Sequence, residues 1–536
     1  MEYGVISNEK LGNFGFLLDY HQLFLFELGQ QAESYLYTNL RLSAMYIRQL
    51  TEAFFDTVID DFSITPIASA WDGSQRVPTI VNKQVAICDF FRKEKYTDSY
   101  YRDHVFPTFP GIPGDARTRV RCPRGEGDNS YDDKTLVDPS RETIFIWDAI
   151  RRIGNAGSHA VLSTSNQLWL EASYVEMAVK ELCVRMGHYF YKTHNPNHRY
   201  QLHSYQPDHT CYGTRQILYG LERARHYGKN GILPAYREHL CVSVAPEPTF
   251  PERTGGDRQF QNRRNRFALV RSYERTEDTT DKALDRFLIQ SQRVYLRMQQ
   301  HGGIAGLPDF SVLADLRAEQ GRYVSAYMFD AEPKRLDYGL LKDLGFYRDI
   351  SKLARLFCGI LTPLEWMCGL GIFHRTFTHQ SVRLLEQPNG AVIPYIIDFE
   401  TCKIFGETAQ GTVYYYAVAQ GFAAEDGKYH PQQEELQQYN GPVWNEETSQ
   451  EEYRKEVLRR MAGVFLNILC PEHIENGGAF SHTATREEIF NGNWIDDELH
   501  DEPFRRGVET LTDVFTRAER GELDFPSVRE NLEELQ

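Results

Sequence analysis

Three groups of residues in this chain have types and spacings that could do chemistry. Between Gly371 and Thr401 the stretch GIFHRTFTHQSVRLLEQPNGAVIPYIIDFET reads as a short strand, a polar loop, a strand (VRLL), a turn at Pro388-Asn389-Gly390 and a second strand (VIPYIID). It places an imidazole and a guanidinium, His374 and Arg375, before the hairpin and two carboxylates, Asp398 and Glu400, after it. Side chains of these kinds move protons and hold hard cations. The segment HNPNHRYQLHSYQPDHTC supplies His194, His198, His203, His209 and Cys211, nitrogen and sulfur donors that could close around zinc. Its spacings match no compact finger, and surface histidines on a Pro-containing linker are the alternative. The third group is basic: Arg117, Arg119, Arg121 and Arg124 form one cluster, and Arg263, Arg264, Arg266 and Arg271 another. Such clusters hold nucleic-acid phosphates or simply form solvated faces.

Groups like these need a folded scaffold, and 536 residues with 41% hydrophobic and 13% aromatic content provide one of two or three domains. The net charge of −16 argues against a protein whose main work is coating nucleic acid. Nine cysteines are scattered without a CxxC pair, which suits a reducing compartment. No apolar run approaches about eighteen residues, and MEYGVISNEK lacks a basic leader with an apolar core. The expectation is a cytoplasmic protein that neither spans a membrane nor is secreted.

Residues 11–56 carry helical stripes, through Leu17, Leu18, Phe24, Leu25 and Leu28, then Ala32, Leu36, Leu40, Ala44, Ile47, Leu50 and Phe54. Gly29 and Tyr37-Thr38-Asn39 are the expected interruptions. Residues 57–140 are irregular, with an extended surface loop near 101–138. A helix is expected from Pro139-Ser140 through Ile144, Trp147 and Ile150, ended or loosened by Gly154 and Gly157. Another runs from about Trp169 to Tyr191.

On these residues the first resemblance rests. NFGFLLDYHQLFLFELGQQAESYLYTNLRLSAMYIRQLTE, IRRIGNAGSHA and AVKELCVRMGHYFYKTHN resemble a small helical module found near the start of type I restriction-enzyme motor subunits and in other bacterial defence proteins. That module is related to the HEPN group, some members of which are ribonucleases with a closely spaced Arg and His. Arg152, Asn155 and His159 match the spacing. The resemblance implies an all-α module over 1–195, a homodimer, and RNA or other defence-system subunits as partners. In a dimer, His159 would act as acid or base on a phosphodiester and Arg152 would stabilise the charged phosphorane. The alternative is that the three residues hydrogen-bond the turn after the helix.

After a connecting segment, 196–262, the sequence resembles the protein-kinase family as far as the C-terminus. RFALVRSYE is similar to the strand V-A-I-K with Arg271 at the lysine, and Gln290 stands at the glutamate of the following helix. DISKLARLFCGILTPLEWMCGLGIFHR fits the long helix before the catalytic loop, and EVLRRMAGVFLNILCPE a central apolar helix. Against H-R-D-x-x-x-x-N and D-F-G, His374-Arg375 and Asp398-Phe399 are kept, Thr376 replaces the catalytic Asp, Ser381 the metal-binding Asn and Glu400 the Gly.

The implied fold is a two-lobed α+β kinase-like domain over 263–536 behind the N-terminal helical module, with ATP and Mg2+ as the cofactors of a degenerate site at Arg271, Gln290, Ser381 and Asp398. No G-x-G-x-x-G precedes residue 266, Arg is no substitute for Lys at a point contact, and Thr376 lacks a carboxylate. Three functions stay open on these residues. The first is a regulatory or scaffold pseudokinase of an antiviral or restriction-linked system that senses a partner or nucleotide. The second is a ribonuclease using Arg152 and His159 under pseudokinase control. The third is a divergent ATP-dependent Ser/Thr kinase that uses Asp398, with Glu400 beside it, for the metal and another acid as base.

Overall fold

Apolar periodicity sets the helices of the N-terminal region, and their caps set its breaks. The computed structural model describes residues 11–66, 77–92, 96–106, 146–158, 170–195, 203–213, 217–227, 235–243, 266–273, 281–312, 323–387, 389–405, 449–470, 473–474, 483–491 and 502–536. The chain forms two compact units. The first contains the described residues up to 224 together with 241–243, and the second contains 225–240 and those from 266 onward.

In the first unit, helix α1 (Leu23–Ser34) and helix α2 (Leu40–Asp61) are separated at Asn39, whose side chain accepts a hydrogen bond from the Leu42 amide at 3.1 Å. Gly29 does not interrupt α1; Phe14 packs against it so closely that a Cβ there would lie 2.4 Å from the ring. Helix α3 (Ile80–Phe90) starts at a Thr79–Asn82 capping box. Helix α4 (Ile146–Ser158) runs through both Gly154 and Gly157, which corrects the expectation that they end it. These glycines face α2, where a Cβ would meet Arg48 at 2.7 Å and Ala44 at 2.7 Å, so they permit close helix packing. Helix α5 (Ala172–His194) completes the bundle, around rings of Phe54, Phe106, Trp147 and Tyr189. Strands β1 (Cys211–Gly213) and β2 (Ile217–Gly220) form an antiparallel pair, and β2 also pairs with the end of β4 (Tyr236–Ser243), Leu218 opposite Ser243.

A buried carboxylate ties this unit's distant segments together. Glu33 on α1 accepts hydrogen bonds from the Asn13 amide (2.9 Å), Tyr205 Oη (3.2 Å) and Cys211 Sγ (3.5 Å). Asn13 in turn accepts from the Gln206 amide at 2.6 Å. Burial pushes the Glu33 carboxyl up to about 7, against the pull of its hydrogen bonds.

The second unit is mixed α+β. Strand β3 (Arg225–Tyr227) pairs with the start of β4, Glu238 opposite Arg225. Strand β4 neighbours β5 (Arg266–Tyr273), which pairs along its length with β7 (Tyr323–Phe329), and β7 pairs with β6 (Asp309–Val312). Helix α6 (Asp281–Gln300) lies between β5 and β6 in sequence. A second sheet has the order β11 (Val392–Ile396), β10 (Val382–Glu386), β8 (Pro333–Arg335), and β9 (Ile372–His374) pairs with β12 (Cys402–Ile404). The hairpin expected between VRLL and VIPYIID forms, with Val382 opposite Ile396.

Around these strands lie α7 (Tyr338–Asp343), α8 (Ile350–Gly369), α9 (Gln450–Ile468), α10 (Arg486–Asn491), α11 (Glu502–Glu519) and α12 (Phe525–Glu533). Helix α8 is capped by Asp349 and α9 by a Ser449–Glu452 box. The apolar faces of α8, α9 and α11 meet at Phe357, Phe465 and Phe515, with ring centroids 4.5 to 5.0 Å apart. Among the described residues no helix is long and apolar enough to cross a membrane.

Glu33 generates a pH prediction. Its folded value, about 7, lies above the ordinary 4.5, so between these two the folded state binds the proton and the unfolded state has lost it. This group's contribution to stability is therefore full below about pH 4.5 and is lost as pH rises toward 7. Glu33→Gln should flatten the melting temperature of the N-terminal unit across that window; an unchanged profile contradicts the assignment.

Candidate functional site

Strand alternation puts residues i and i+2 on one face, and this builds the site in the second unit. On β4 those residues are Tyr236 and Glu238, on β5 Arg271 and Tyr273, and on β7 Ser325 and Tyr327; Arg271 stands opposite Ser325 in the register. Opposite this face comes the loop after β11, with Asp398 and Glu400. Asp398 adopts a left-handed backbone (φ 67°), a conformation that costs a non-glycine residue about 1 kcal/mol or more. His374 and Arg375 hold that turn by its backbone: His374 Nε2 lies 2.9 Å from the Ile397 carbonyl, and Arg375 Nε donates to the Thr401 carbonyl at 3.1 Å. Thr401 Oγ1 donates to the Asp398 carbonyl at 2.9 Å.

The face and the loop meet in a buried ion network. Arg271, 1% exposed, donates from Nη1 to Asp398 Oδ1 at 2.6 Å, and from Nε and Nη2 to Glu238 Oε2, both at 3.2 Å. Its guanidinium lies over the rings of Tyr236 and Tyr327, 4.7 and 5.2 Å from their centroids. Glu238 also accepts from Arg383 Nη2 at 2.9 Å and Arg335 Nη2 at 3.2 Å. Glu400, fully buried, accepts from the hydroxyls of Tyr273, Tyr327 and Ser325, and lies 3.6 Å from Arg271 Nη1.

The electrostatics follow from these contacts. Burial alone would raise the Asp398 and Glu238 carboxyls. At Asp398 it is outweighed by Arg271, His374 and a hydrogen bond from Ser381, and at Glu238 by Arg383 and Arg271, so both lie below the ordinary carboxylate range. Burial likewise works against the charge on Arg271, yet Tyr236, Asp398, Glu400 and Glu238 hold its proton well beyond the ordinary arginine range. The phenols of Tyr273 and Tyr327 are raised by burial and then by Glu400, so they remain neutral donors. Three guanidiniums face three carboxylates.

Of the residues expected at a nucleotide site, Arg271, Ser381 and Asp398 are brought together, with both Arg271 and Ser381 bonded to the Asp398 carboxylate. Gln290 lies on α6. A metal ion on Asp398 would have to compete with the Arg271 guanidinium, and a phosphate on Arg271 with two carboxylates. Thr376 places a buried hydroxyl, without a hydrogen-bond partner among the described residues, where the resemblance expects a catalytic carboxylate. What these contacts do is neutralise charge: Arg271 is met by Asp398 and Glu238.

Elsewhere, Arg152 donates to Asp148 at 2.7 Å within α4, Asn155 lies on the same helix, and His159 lies outside the described residues. The residues considered for zinc disperse: His194 pairs with Asp61, His203 faces Cys183 at 3.4 Å, and Cys211 donates to Glu33, while His198 lies outside the described residues. The arginine clusters at 117–124 and 263–264 also lie outside.

Sequence reasoning missed Glu238, Arg335 and Arg383. A signal existed, since Glu238 inside AYREHLCVS and Arg383 inside VRLL fall at apolar-flanked strand positions, and buried charges require partners.

Arg271→Met should destabilise the second unit by about 3–5 kcal/mol, because it strands buried carboxylates. Urea unfolding reads this as a large fall in midpoint; a loss under about 1 kcal/mol contradicts the network's role.

A scan against protein-family models matches none to this chain, and no curated protein matches it in sequence.

Proposed function

We propose that the second unit is a kinase-like domain that has lost phosphoryl transfer, and that the chain is a regulatory or scaffold pseudokinase of a bacterial defence system. The element order supports this: an Arg-bearing strand, a helix, a hairpin strand, a long capped helix, the His374-Arg375 loop, the hairpin to Asp398 and then a central apolar helix. So does the use of His374 and Arg375 to hold the backbone around Asp398.

One observation carries the loss of chemistry. The only residue retained among those that do the chemistry, Asp398, is bonded at 2.6 Å to Arg271, the residue at the phosphate-binding position, and Arg271 is further bonded to Glu238. Phosphoryl transfer needs a metal-binding carboxylate, a phosphate-binding cation and a base at once. Here the first two neutralise each other and the third is Thr376. The defence role and the partner subunits rest on the resemblance of the N-terminal helices; the partners are other subunits, RNA, or a second copy of this chain.

Purified protein with labelled ATP and Mg2+ should incorporate no label and show no thermal shift. Incorporation that Asp398→Asn abolishes would overturn the proposal in favour of a divergent kinase. RNA cleavage that His159→Ala abolishes would move the activity to the N-terminal unit.

A further inference from the structure

Three guanidiniums converge on the single carboxylate of Glu238. Arg335 and Arg383 stand directly opposite each other on β8 and β10. Like charges at such cross-strand positions repel, at a cost of a few tenths to about 1 kcal/mol. Both guanidiniums nevertheless turn toward the same acceptor, and Arg271 reaches it from the other sheet. Glu238 thus receives five guanidinium hydrogen bonds: two from Arg271 at 3.2 Å, two from Arg383 at 2.9 and 3.2 Å, and one from Arg335 at 3.2 Å.

Each donor also has a contact other than Glu238 that holds it. Tyr236 lies against Arg271, and Tyr227 against Arg335 at 5.0 Å. Those two rings stack on each other with centroids 4.8 Å apart. Arg383 is anchored separately, donating to the Gln380 carbonyl at 2.6 Å. Among the described residues of this cage, Arg335 is 35% exposed while Arg271 and Arg383 are buried. Several planar, preoriented N–H forks converging on one point form the geometry that binds a multiply charged oxyanion.

We propose that Arg271, Arg335 and Arg383 form a latent site for a phosphate-type oxyanion, and that Glu238 is a built-in plug that occupies it. The inference rests on the pseudokinase reading and deepens it: the site is closed by the chain's own carboxylate, and a phosphate-bearing ligand enters only where Glu238 is withdrawn. With Glu238 withdrawn, three guanidiniums would face only Asp398 and Glu400, both on Arg271, and the remaining positive charge at Arg335 and Arg383 is what an entering phosphate-type oxyanion would meet.

The test uses the full chain, melted in inorganic phosphate or in chloride at matched ionic strength, without Mg2+. Glu238→Ala empties the cage. Phosphate at millimolar concentration should raise its melting temperature by about 3 °C or more. The same phosphate should leave wild type and the double variant Glu238→Ala/Arg383→Ala unmoved. A folded Glu238→Ala protein no more phosphate-sensitive than wild type overturns the proposal. If Glu238→Ala fails to fold in chloride, refolding in phosphate must restore a cooperative transition, and failure of that rescue also overturns it. ATP in place of phosphate distinguishes the sources: an equal effect assigns a free phosphate, a larger one a nucleotide. Wild-type labelling by ATP would sink the pseudokinase reading, whereas an inert wild type with a phosphate-insensitive variant would sink the plug alone.

Discussion

The second unit depends on one constraint: the Arg271 guanidinium is buried, and its charge has to be met inside the protein. Isolated, it would be costly enough to exclude from a folded interior. Asp398 and Glu238 meet it directly, and Tyr236 and Tyr327 cover its faces. Each partner comes from a different part of the chain, so satisfying Arg271 fixes β4 and β5 against the loop after β11. Glu238 extends the same network to Arg335 and Arg383, and so to the sheet of β8, β10 and β11.

This requirement also explains local features that look unfavourable on their own. Asp398 is held in a left-handed conformation, and two arginines sit side by side across β8 and β10. Glu400, at a position where the kinase resemblance expects glycine, is buried among Tyr273, Tyr327 and Ser325. A half-satisfied set of such groups would be worse than an apolar core. The complete set of hydrogen bonds holds the loop after β11 against β4, β5 and β7.

Much of the scaffold was legible because local signals agree with the tertiary structure. The stripes of α8 and α9 and the alternation around Arg271 each specify an element before any contact is known. Gly154 and Gly157 were misleading because glycine signals both a helix end and a close approach, and only the position of α2 decides between them. The network around Glu238 was not legible, since its partners lie 33, 97 and 145 residues away in sequence. Likewise, the order of 203–213 depends on Asn13 and Glu33, and the local sequence shows only a polar, Pro-containing stretch. The chemistry of the site was half legible. The residue types at 376 and 381 could be read directly, while the bonding of Arg271 to both Asp398 and Glu238 could not.

A double-mutant cycle on Glu238 and Arg271, read by urea unfolding, tests the central claim most directly. If the two form one buried, mutually dependent unit, Glu238→Gln and Arg271→Met will each cost far more alone than their combination implies, with a coupling of about 1–3 kcal/mol. Losses that simply add would mean that the two charges are accommodated independently, and the account of a network closing this site would be wrong.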